Sequence, residues 1–566
     1  MSGKRWILPE ASHPPDWEVI RKDWGIPSPI LCALWNRGLR TATQVERFLK
    51  PRVEDLHDPF LLRDCDRAVA RVHTALTRRE PILVFGDYDV DGISAATLWT
   101  RILRHLGGEV TPLVPNRMED GYGLSRRAVE RAESIGAGLL VANDCGTTAH
   151  DAIAFANERG VDVVVCDHHM PEATLPAAHA LVNPRRADDS YPFPDMAAVG
   201  VAFKILQGLV SRHYGPEEWK YLLGQLDLVT LGTVADVVPL VGENRIFTHF
   251  GMKVLRVRRR PAFQALVEQA RLTDRFLEAS HLAFSLVPRI NAAGRLGTPE
   301  TALGLLLEDE IDAARKLAGR LEDDNSARKG LNERVQADAF QWLAEYPPGP
   351  CDAIVLGSAE WHPGVLGIAA SRLAARYRVP VFLVSLQGEV ARGSARTPVS
   401  VDLLSLLDAA SEHLAGFGGH RQAAGFSLDP GRFSLFQTAL LSACRQKLQA
   451  PEEPCLDLDG ALDPSQCSVE LARWIERMGP FGEGNREPIY SGSGLCRSPR
   501  VLRDRHLKFE VVSEGTRVEC IGFGLGELAS EIPAGGGSFH LAFTPTLNRY
   551  RGQERVQLKL REIDFV

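Results

Sequence analysis

Clusters of carboxylate and imidazole side chains punctuate the first 240 residues. They are Asp87, Asp89 and Asp91 in Gly86-Asp87-Tyr88-Asp89-Val90-Asp91-Gly92, Asp144 between Asn143 and Cys145, the triplet Asp167-His168-His169, and Asp236 after Ala235. Hard oxygen donors with a minority of imidazoles suit Mn2+ or Mg2+, the histidines favouring manganese, and disfavour a thiolate zinc site. The donors exceed what one ion needs once water fills part of its shell. Two ions roughly 3.5–4 Å apart, bridged by a shared carboxylate, are the usual arrangement for in-line attack on phosphorus, and these residue types predict that chemistry. Asp-x-Asp-x-Asp-Gly also opens a calcium loop, but Leu98 falls where such a loop carries its final glutamate. Taken singly, Asp-Cys-Gly is a turn and paired histidines are surface or capping residues. Three clusters in successive strand-helix units favour the metal.

Groups so far apart in sequence meet only if their elements end together. Ile82 to Phe85, Leu139 to Ala142 and Val161 to Cys166 are short apolar runs rich in β-branched residues, as buried strands are. Ile93 to Leu106 and Thr147 to Arg159 between them have helical spacing. The region therefore predicts a parallel α/β sheet whose carboxyl edge gathers the clusters.

The 566 residues suffice for three or four domains at about 150 residues each. A formal charge of −7 means that any nucleic-acid surface must be local. Arg256-Val257-Arg258-Arg259-Arg260 is the densest basic run, with Arg185-Arg186 and Arg328-Lys329 behind it, each equally readable as a solvated face. Ten cysteines without a Cys-x-x-Cys pair argue against a zinc ribbon and a thioredoxin-like motif and fit a reducing cytosol. With no signal peptide and no run of roughly eighteen apolar residues, a cytoplasmic protein without membrane spans is expected.

Residues 1–75, with prolines among short helical patterns, read as an N-terminal extension packed on the first sheet. Residues 76–300 read as the catalytic α/β domain, with a proline-rich surface excursion from Pro171 to Pro194. Residues 301–350 predict a helical connector, one long helix or a helix pair, despite Gly304, Gly319 and Gly330. A second α/β domain over residues 351–450 opens with a strand at 353–356, a helix at 364–377 and a strand at 379–385. Residues 451–566 carry alternating strands at 506–512, 517–523, 539–547 and 554–560, the last two a hairpin, and predict a small β-barrel of the oligonucleotide-binding (OB) type.

A second constellation lies in Arg392-Gly393-Ser394-Ala395-Arg396 and Phe417-Gly418-Gly419-His420-Arg421-Gln422-Ala423-Ala424-Gly425. Glycines let a backbone approach a ligand, arginine and a hydroxyl can fix a terminal phosphate, and His420 can donate to a scissile phosphate. The alternative is a glycine-rich turn with solvent arginines. Asn291-Ala292-Ala293-Gly294-Arg295 offers a further arginine.

Asp167-His168-His169 with Asp87, Asp89, Asp91, Asp144 and Asp236 resembles the DHH phosphoesterase superfamily, and Gly418-Gly419-His420 resembles its DHHA1 partner domain. Further motifs extend the likeness over nearly the whole chain to the RecJ family of bacterial single-strand-specific exonucleases. They are Gly86 to Gly92, Pro288-Arg289-Ile290-Asn291-Ala292-Ala293-Gly294-Arg295, Trp361-His362-Pro363-Gly364-Val365-Leu366-Gly367 and Pro480-Phe481-Gly482-Glu483-Gly484-Asn485. The resemblance implies two α/β domains, DHH and DHHA1, joined by the helical connector, and a C-terminal OB-like barrel. It implies a 5′-to-3′ exonuclease on single-stranded DNA that releases 5′-mononucleotides in recombinational and mismatch repair. Asp87, Asp89, Asp91, Asp144, His168, His169 and Asp236 would then hold or surround two Mn2+ or Mg2+ ions, with Asp167 supporting the histidines and His420 acting beside them. Arg117, Arg295, Ser394 and Arg396 would grip the 5′ phosphate or nearby backbone, Tyr122, Trp361 or Phe481 would stack on bases, and the barrel would feed the strand. A single-stranded-DNA-binding protein and a RecQ-type helicase are implied as partners of a monomer. One departure is Phe85, where many superfamily members carry histidine; Asp87 would replace that ligand.

Two other functions remain open. A DHH-type hydrolase of short oligonucleotides, cyclic dinucleotides or pyrophosphate needs only the two α/β domains, which the extension and barrel exceed. A non-catalytic DNA-binding scaffold is opposed by the intact ligand types at Asp89, Asp91, Asp144, His168 and Asp236.

Overall fold

Continuous apolar runs, unlike alternating ones, need cover on both faces of their sheet. In the computed structural model, which describes residues 4–9, 17–116, 123–257, 259–296, 298–349, 352–398, 401–448, 455–533, 536–550 and 553–564, the first sheet has that cover. Its parallel strands β1 (Ile82–Gly86), β2 (Val110–Leu113), β3 (Leu139–Asn143), β4 (Asp162–Cys166) and β5 (Ala180–Val182) lie in the order β2-β1-β3-β4-β5. Every residue of β1 and β3 is buried. Helices Val90–His105, Arg126–Ser134 and His150–Glu158 make the crossovers, and Ala198–His213 and Leu226–Ala235 pack on Val90–His105. Phe85 lies in the core on the side of Val129 and Ile153. The stretch Pro171 to Pro194 is not a simple surface excursion. It contains β5 and buries Arg186, whose guanidinium reaches Asp64 at 2.8 Å and Asp188 at 2.7 Å.

The chain divides into two units, one of residues 1–115, 120–287 and 454–566, the other of residues 116–119 and 288–453. In the second unit β6 (Ile354–Ser358), β7 (Val381–Ser385), β8 (Ala391–Arg396), β9 (Gly416–His420) and β10 (Ala423–Leu428) form a sheet ordered β9-β10-β8-β7-β6. Only β6 and β7 pair in parallel. The connector is a helix pair, Pro299–Leu307 and the 35-residue Ile311–Glu345, and a Cβ at Gly304, Gly319 or Gly330 would touch nothing within 4 Å. The glycine-rich segments expected to wrap a ligand are strands. A Cβ on Gly393 would stand 2.1 Å from the ring of Phe426, so this glycine makes room for a core phenylalanine rather than for a ligand.

The first unit also carries the barrel: β11 (Tyr490–Leu502), β12 (His506–Ser513), β13 (Thr516–Gly522), β14 (Gly537–Tyr550) and β15 (Gln553–Asp564), ordered β11-β12-β13-β15-β14 and closed by β11 against β14. The expected hairpin is β14–β15, with Leu547 opposite Val556. The N-terminal extension does not sit as expected. Of its described helices, Cys65–Arg78 packs at the first sheet, against β5. Trp17, Ile20, Ile30, Leu34 and Val45 join the barrel core with Leu471, Tyr490 and Phe543, and Arg5–Ile7 pairs in parallel with Cys455–Asp457. Amphipathic helices advertise an apolar face but not which distant core will receive it.

The densest basic run is divided between surface and core, with Arg256 and Arg259 exposed. Arg260 is buried, with Nε and Nη2 each 2.9 Å from Asp227, and Arg256 donates to the Leu277 carbonyl; Arg258 lies outside the described residues.

Candidate metal centre

The chain must turn sharply where β1 meets its helix, and the two glycines there permit it. A Cβ on Gly86 would lie 2.2 Å from the Gly92 carbonyl oxygen, and one on Gly92 would lie 2.4 Å from the Asp87 nitrogen. Between them Asp89 caps the Val90–His105 helix, its Oδ1 accepting from Asp91 N at 2.9 Å and Gly92 N at 3.1 Å. Asp91 sits in the first turn with both carboxylate oxygens engaged, by Ala198 N at 2.6 Å and Val199 N at 3.0 Å, and so fixes the start of a second helix. Asp144, just after β3, is held at φ +61°, a left-handed conformation that aspartate tolerates better than most side chains.

Beyond β4, Asp167 serves as scaffold. Its Oδ1 accepts from the amides of His168 (2.7 Å) and His169 (3.2 Å) and lies 2.8 Å from His169 Nδ1, while Oδ2 accepts from Thr147 N at 3.0 Å. Asn183 braces the same corner, donating to the His169 carbonyl and the Thr147 hydroxyl. Asp236 ends the Leu226–Ala235 helix.

These elements bring seven side chains to one edge in three overlapping groups, Asp87/Asp89/Asp144, Asp144/His168/His169 and Asp91/His168/Asp236. Within each group the ligand atoms lie within 4.8 Å of one another. Asp144 and His168 are each shared by two groups, and His168 Nε2 is 3.3 Å from Asp144 and 3.6 Å from Asp236. Asp87 Oδ1, Asp144 Oδ1 and His168 Nε2 are buried without a hydrogen-bond partner among the described residues, an expensive condition unless a cation takes them up.

The electrostatics agree. Burial, then the charge of Asp89, pushes Asp87 up to about 8, and the same two causes push Asp236 up to about 7. Burial and neighbouring carboxylates likewise raise Asp91 and Asp144 well above the usual carboxylate range. Burial, then the charge of His169, lowers His168 to about 4, leaving the neutral imidazole that a metal requires. Asp167 is depressed despite its burial, because His169 and Thr147 donate to it. A set of crowded carboxylates that resist ionising together, beside neutral imidazole, fits divalent cations.

The second unit holds its own cluster. Arg295 donates to the Gly364 carbonyl at 3.2 Å, and Arg396 Nη1 lies 3.2 Å from Ser394 Oγ. A Cβ on Gly367, at the start of the Leu366–Tyr377 helix, would stand 2.8 Å from Arg396 Nη2 and 3.1 Å from Ser394 Oγ. Two arginines and a hydroxyl thus adjoin a helix N-terminus, a setting suited to a phosphate. His362, which accepts from Gly364 N, and Gly367 belong to this corner, although the sequence presented them only as a motif. His420 is exposed at the end of β9. Arg117 and Tyr122 lie outside the described residues. Trp361 is buried and donates to Asp338, so it is a core residue of its unit.

Comparison with known proteins fits this architecture. Residues 81–233 match the DHH family, N-terminal domain, residues 352–446 the DHHA1 domain, and residues 458–562 the RecJ OB domain. The fold is therefore that of a DHH phosphoesterase extended by an OB barrel. Over 94% of its length the chain is 36% identical to the single-stranded-DNA-specific exonuclease RecJ of Escherichia coli, of which it covers 96%. The chain belongs to the RecJ family. RecJ of Thermus thermophilus, solved in complex with Mn2+, superposes with a TM-score of 0.83 at 29% identity, over 99% of this chain and 80% of that one. A manganese-bound exonuclease RecJ is 35% identical over 69% of this chain and 96% of its own, with a TM-score of 0.60.

Proposed function

We propose that the protein is a metal-dependent 5′-to-3′ exonuclease that degrades single-stranded DNA to 5′-mononucleotides in recombinational and mismatch repair. The observation that carries this reading is the convergence of Asp87, Asp89, Asp91, Asp144, His168, His169 and Asp236 in a chain that matches the RecJ family along its length. Two Mn2+ or Mg2+ ions held by these residues would supply Lewis acidity and an activated water at neutral pH. The carboxylate of Asp144, present in two groups, would be able to serve both, and His168 would hold an ion through Nε2. Asp167 orients the His169 ring through Nδ1 and holds the backbone amide of His168, and burial favours the neutral, electron-pair-donating form of His168. Arg295, Ser394 and Arg396, with Arg117, would hold the 5′ phosphate or nearby backbone, and His420 would donate to the scissile phosphate and neutralise charge as the 3′ oxygen leaves.

A groove of about 520 Å³ in the first unit supports a strand path along the barrel. Arg256, Arg477, Lys559 and Arg561 line it with Phe276 and the 84%-exposed Phe284, offering cations for phosphates and rings for bases. Lys559 and Arg561 are paired with Glu487, so a phosphate would have to compete for them. Among the described residues no helix is long and apolar enough to cross a membrane. The same reading makes the protein a cytoplasmic monomer working with a single-stranded-DNA-binding protein and a RecQ-type helicase.

The test is degradation of a 3′-labelled single-stranded oligonucleotide with Mn2+, by wild type and Asp89→Ala, beside a blunt duplex. A descending ladder seen only with wild type on single strands is the expected result. Binding without cleavage would indicate a scaffold, and cleavage confined to very short oligonucleotides a small-substrate hydrolase.

A further inference from the structure

The turn that follows Asp236 is gripped by a loop from the barrel domain, nearly 250 residues further along the chain. Asp236 closes its helix through a bond from its own amide to the Gly232 carbonyl, and the chain then reverses through Val237, which is 64% exposed and held at φ +59°. Nothing within Val237 itself favours that backbone, since a β-branched residue in the left-handed region is an outlier that its surroundings must impose. On one side Asn244 provides the constraint, donating to the carbonyls of Pro239 (3.0 Å) and Asp195 (2.6 Å). On the other side the barrel domain provides it. Leu240 N donates to the Glu483 carbonyl at 2.8 Å, and two glycines let the loop press closely. A Cβ on Gly482 would meet Leu240 Cδ1 at 2.7 Å, and one on Gly484, at φ +67°, would meet Pro239 Cβ at 2.9 Å.

The gripping loop is itself rigid. Asn485 donates to the carbonyls of Met478 and Pro480 and accepts from Arg37, while Gly482 and Asn485 exchange backbone bonds. Arg245, buried in the helix after the turn, donates to the carbonyls of Met478, Gly479 and Phe48, each at 2.9 Å. A buried guanidinium that donates to carbonyls of separate segments and lies over the Phe48 ring serves as a bolt between them.

We propose that the Pro480–Asn485 loop is a positioning element for the metal centre, setting the place of Asp236 through the Val237–Val241 turn, so that the barrel domain helps to build the cation site. This rests on the reading of Asp236 as a metal ligand.

The experiment is Mn2+ binding to the full-length protein without DNA, followed calorimetrically and by the paramagnetic resonance of free Mn2+, for wild type, Gly484→Ala, Gly482→Ala and Asp236→Ala. Gly484→Ala is expected to weaken Mn2+ binding about tenfold, as the loss of an orienting partner does. Its exonuclease activity should return at excess Mn2+. Should Gly484→Ala not fold, Gly482→Ala is the milder probe, because its Cβ meets only the movable end of Leu240. Removing that end in the Gly482→Ala/Leu240→Ala double variant should restore Mn2+ affinity, which a general loss of stability would not do. Folded glycine variants with wild-type Mn2+ affinity would overturn the proposal while leaving the metal assignment standing. Unchanged Mn2+ binding in Asp236→Ala would instead remove the assignment, and the proposal with it.

Discussion

Crowding of like charges gives the candidate metal centre its character at the scale of single residues. Asp87 and Asp236 are raised to about 8 and about 7 from an ordinary 3.8, so the metal-free folded protein holds protons that the unfolded chain releases. His168, lowered to about 4 from 6.5, opposes this only below its unfolded value. Between about pH 6.5 and 8 the raised carboxylates act alone among these three, and the stability they contribute is lost as pH rises through their folded values. The metal-free protein should therefore melt at a lower temperature at about pH 8 than at 6.5, and Mn2+ should raise the melting temperature more at the upper end; a metal-free melting point that climbs with pH would contradict this. Asp167→Asn keeps the shape but loses an anion that accepts from His169 and Thr147. We expect it to weaken Mn2+ binding by about 10–100-fold in calorimetry, with activity recovering at high Mn2+. That carboxylates and imidazoles would gather at one edge was legible in the sequence, because apolar runs mark the strands after which Asp87, Asp144 and Asp167-His168-His169 follow. That both oxygens of Asp91 would be taken by the amides of Ala198 and Val199, more than a hundred residues away, was not, since no local pattern encodes a partner at that distance.

Elements tell a different story about glycine. Gly393 reads as a ligand-binding glycine, but its strand β8 runs beside β10, and Phe426 occupies the space a side chain would need. Gly393→Ala should destabilise the second unit by about 1–3 kcal/mol, measured by denaturant unfolding. Gly319 and Gly330 stand in the long Ile311–Glu345 helix with open space around them, so alanine at either should stabilise that helix by about 1 kcal/mol; an unchanged or lowered denaturation midpoint would show that their helical positions carry another constraint. Strands and helices with strong period were legible to within a few residues, among them β1, β3, β7 and the Leu366–Tyr377 helix. Strands β8, β9 and β10 were not, because glycine lacks the side chain from which strand periodicity is read.

At the scale of the molecule, the barrel core extends into the N-terminal helices, where Leu34 is fully buried beside Trp17 and Ile30. Leu34→Ala should cost about 2–5 kcal/mol, and the loss should appear in barrel unfolding and single-strand affinity before it appears in Mn2+ binding. The domain succession was readable from composition and proline-rich breaks. The attachment of the extension to the barrel was not, because hydrophobic faces carry no address. The parallel pairing of Arg5–Ile7 with Cys455–Asp457 also has a temporal meaning. On a ribosome making about 5–20 residues per second, Arg5 emerges roughly 20–90 s before its partner strand exists. Throughout that interval the nascent chain carries Trp17, Ile20 and Leu34 without the barrel core that completes their burial. Translation that stops short of the barrel would thus release a polypeptide with a finished catalytic sheet and an adhesive leading segment, a natural client for chaperones and proteases.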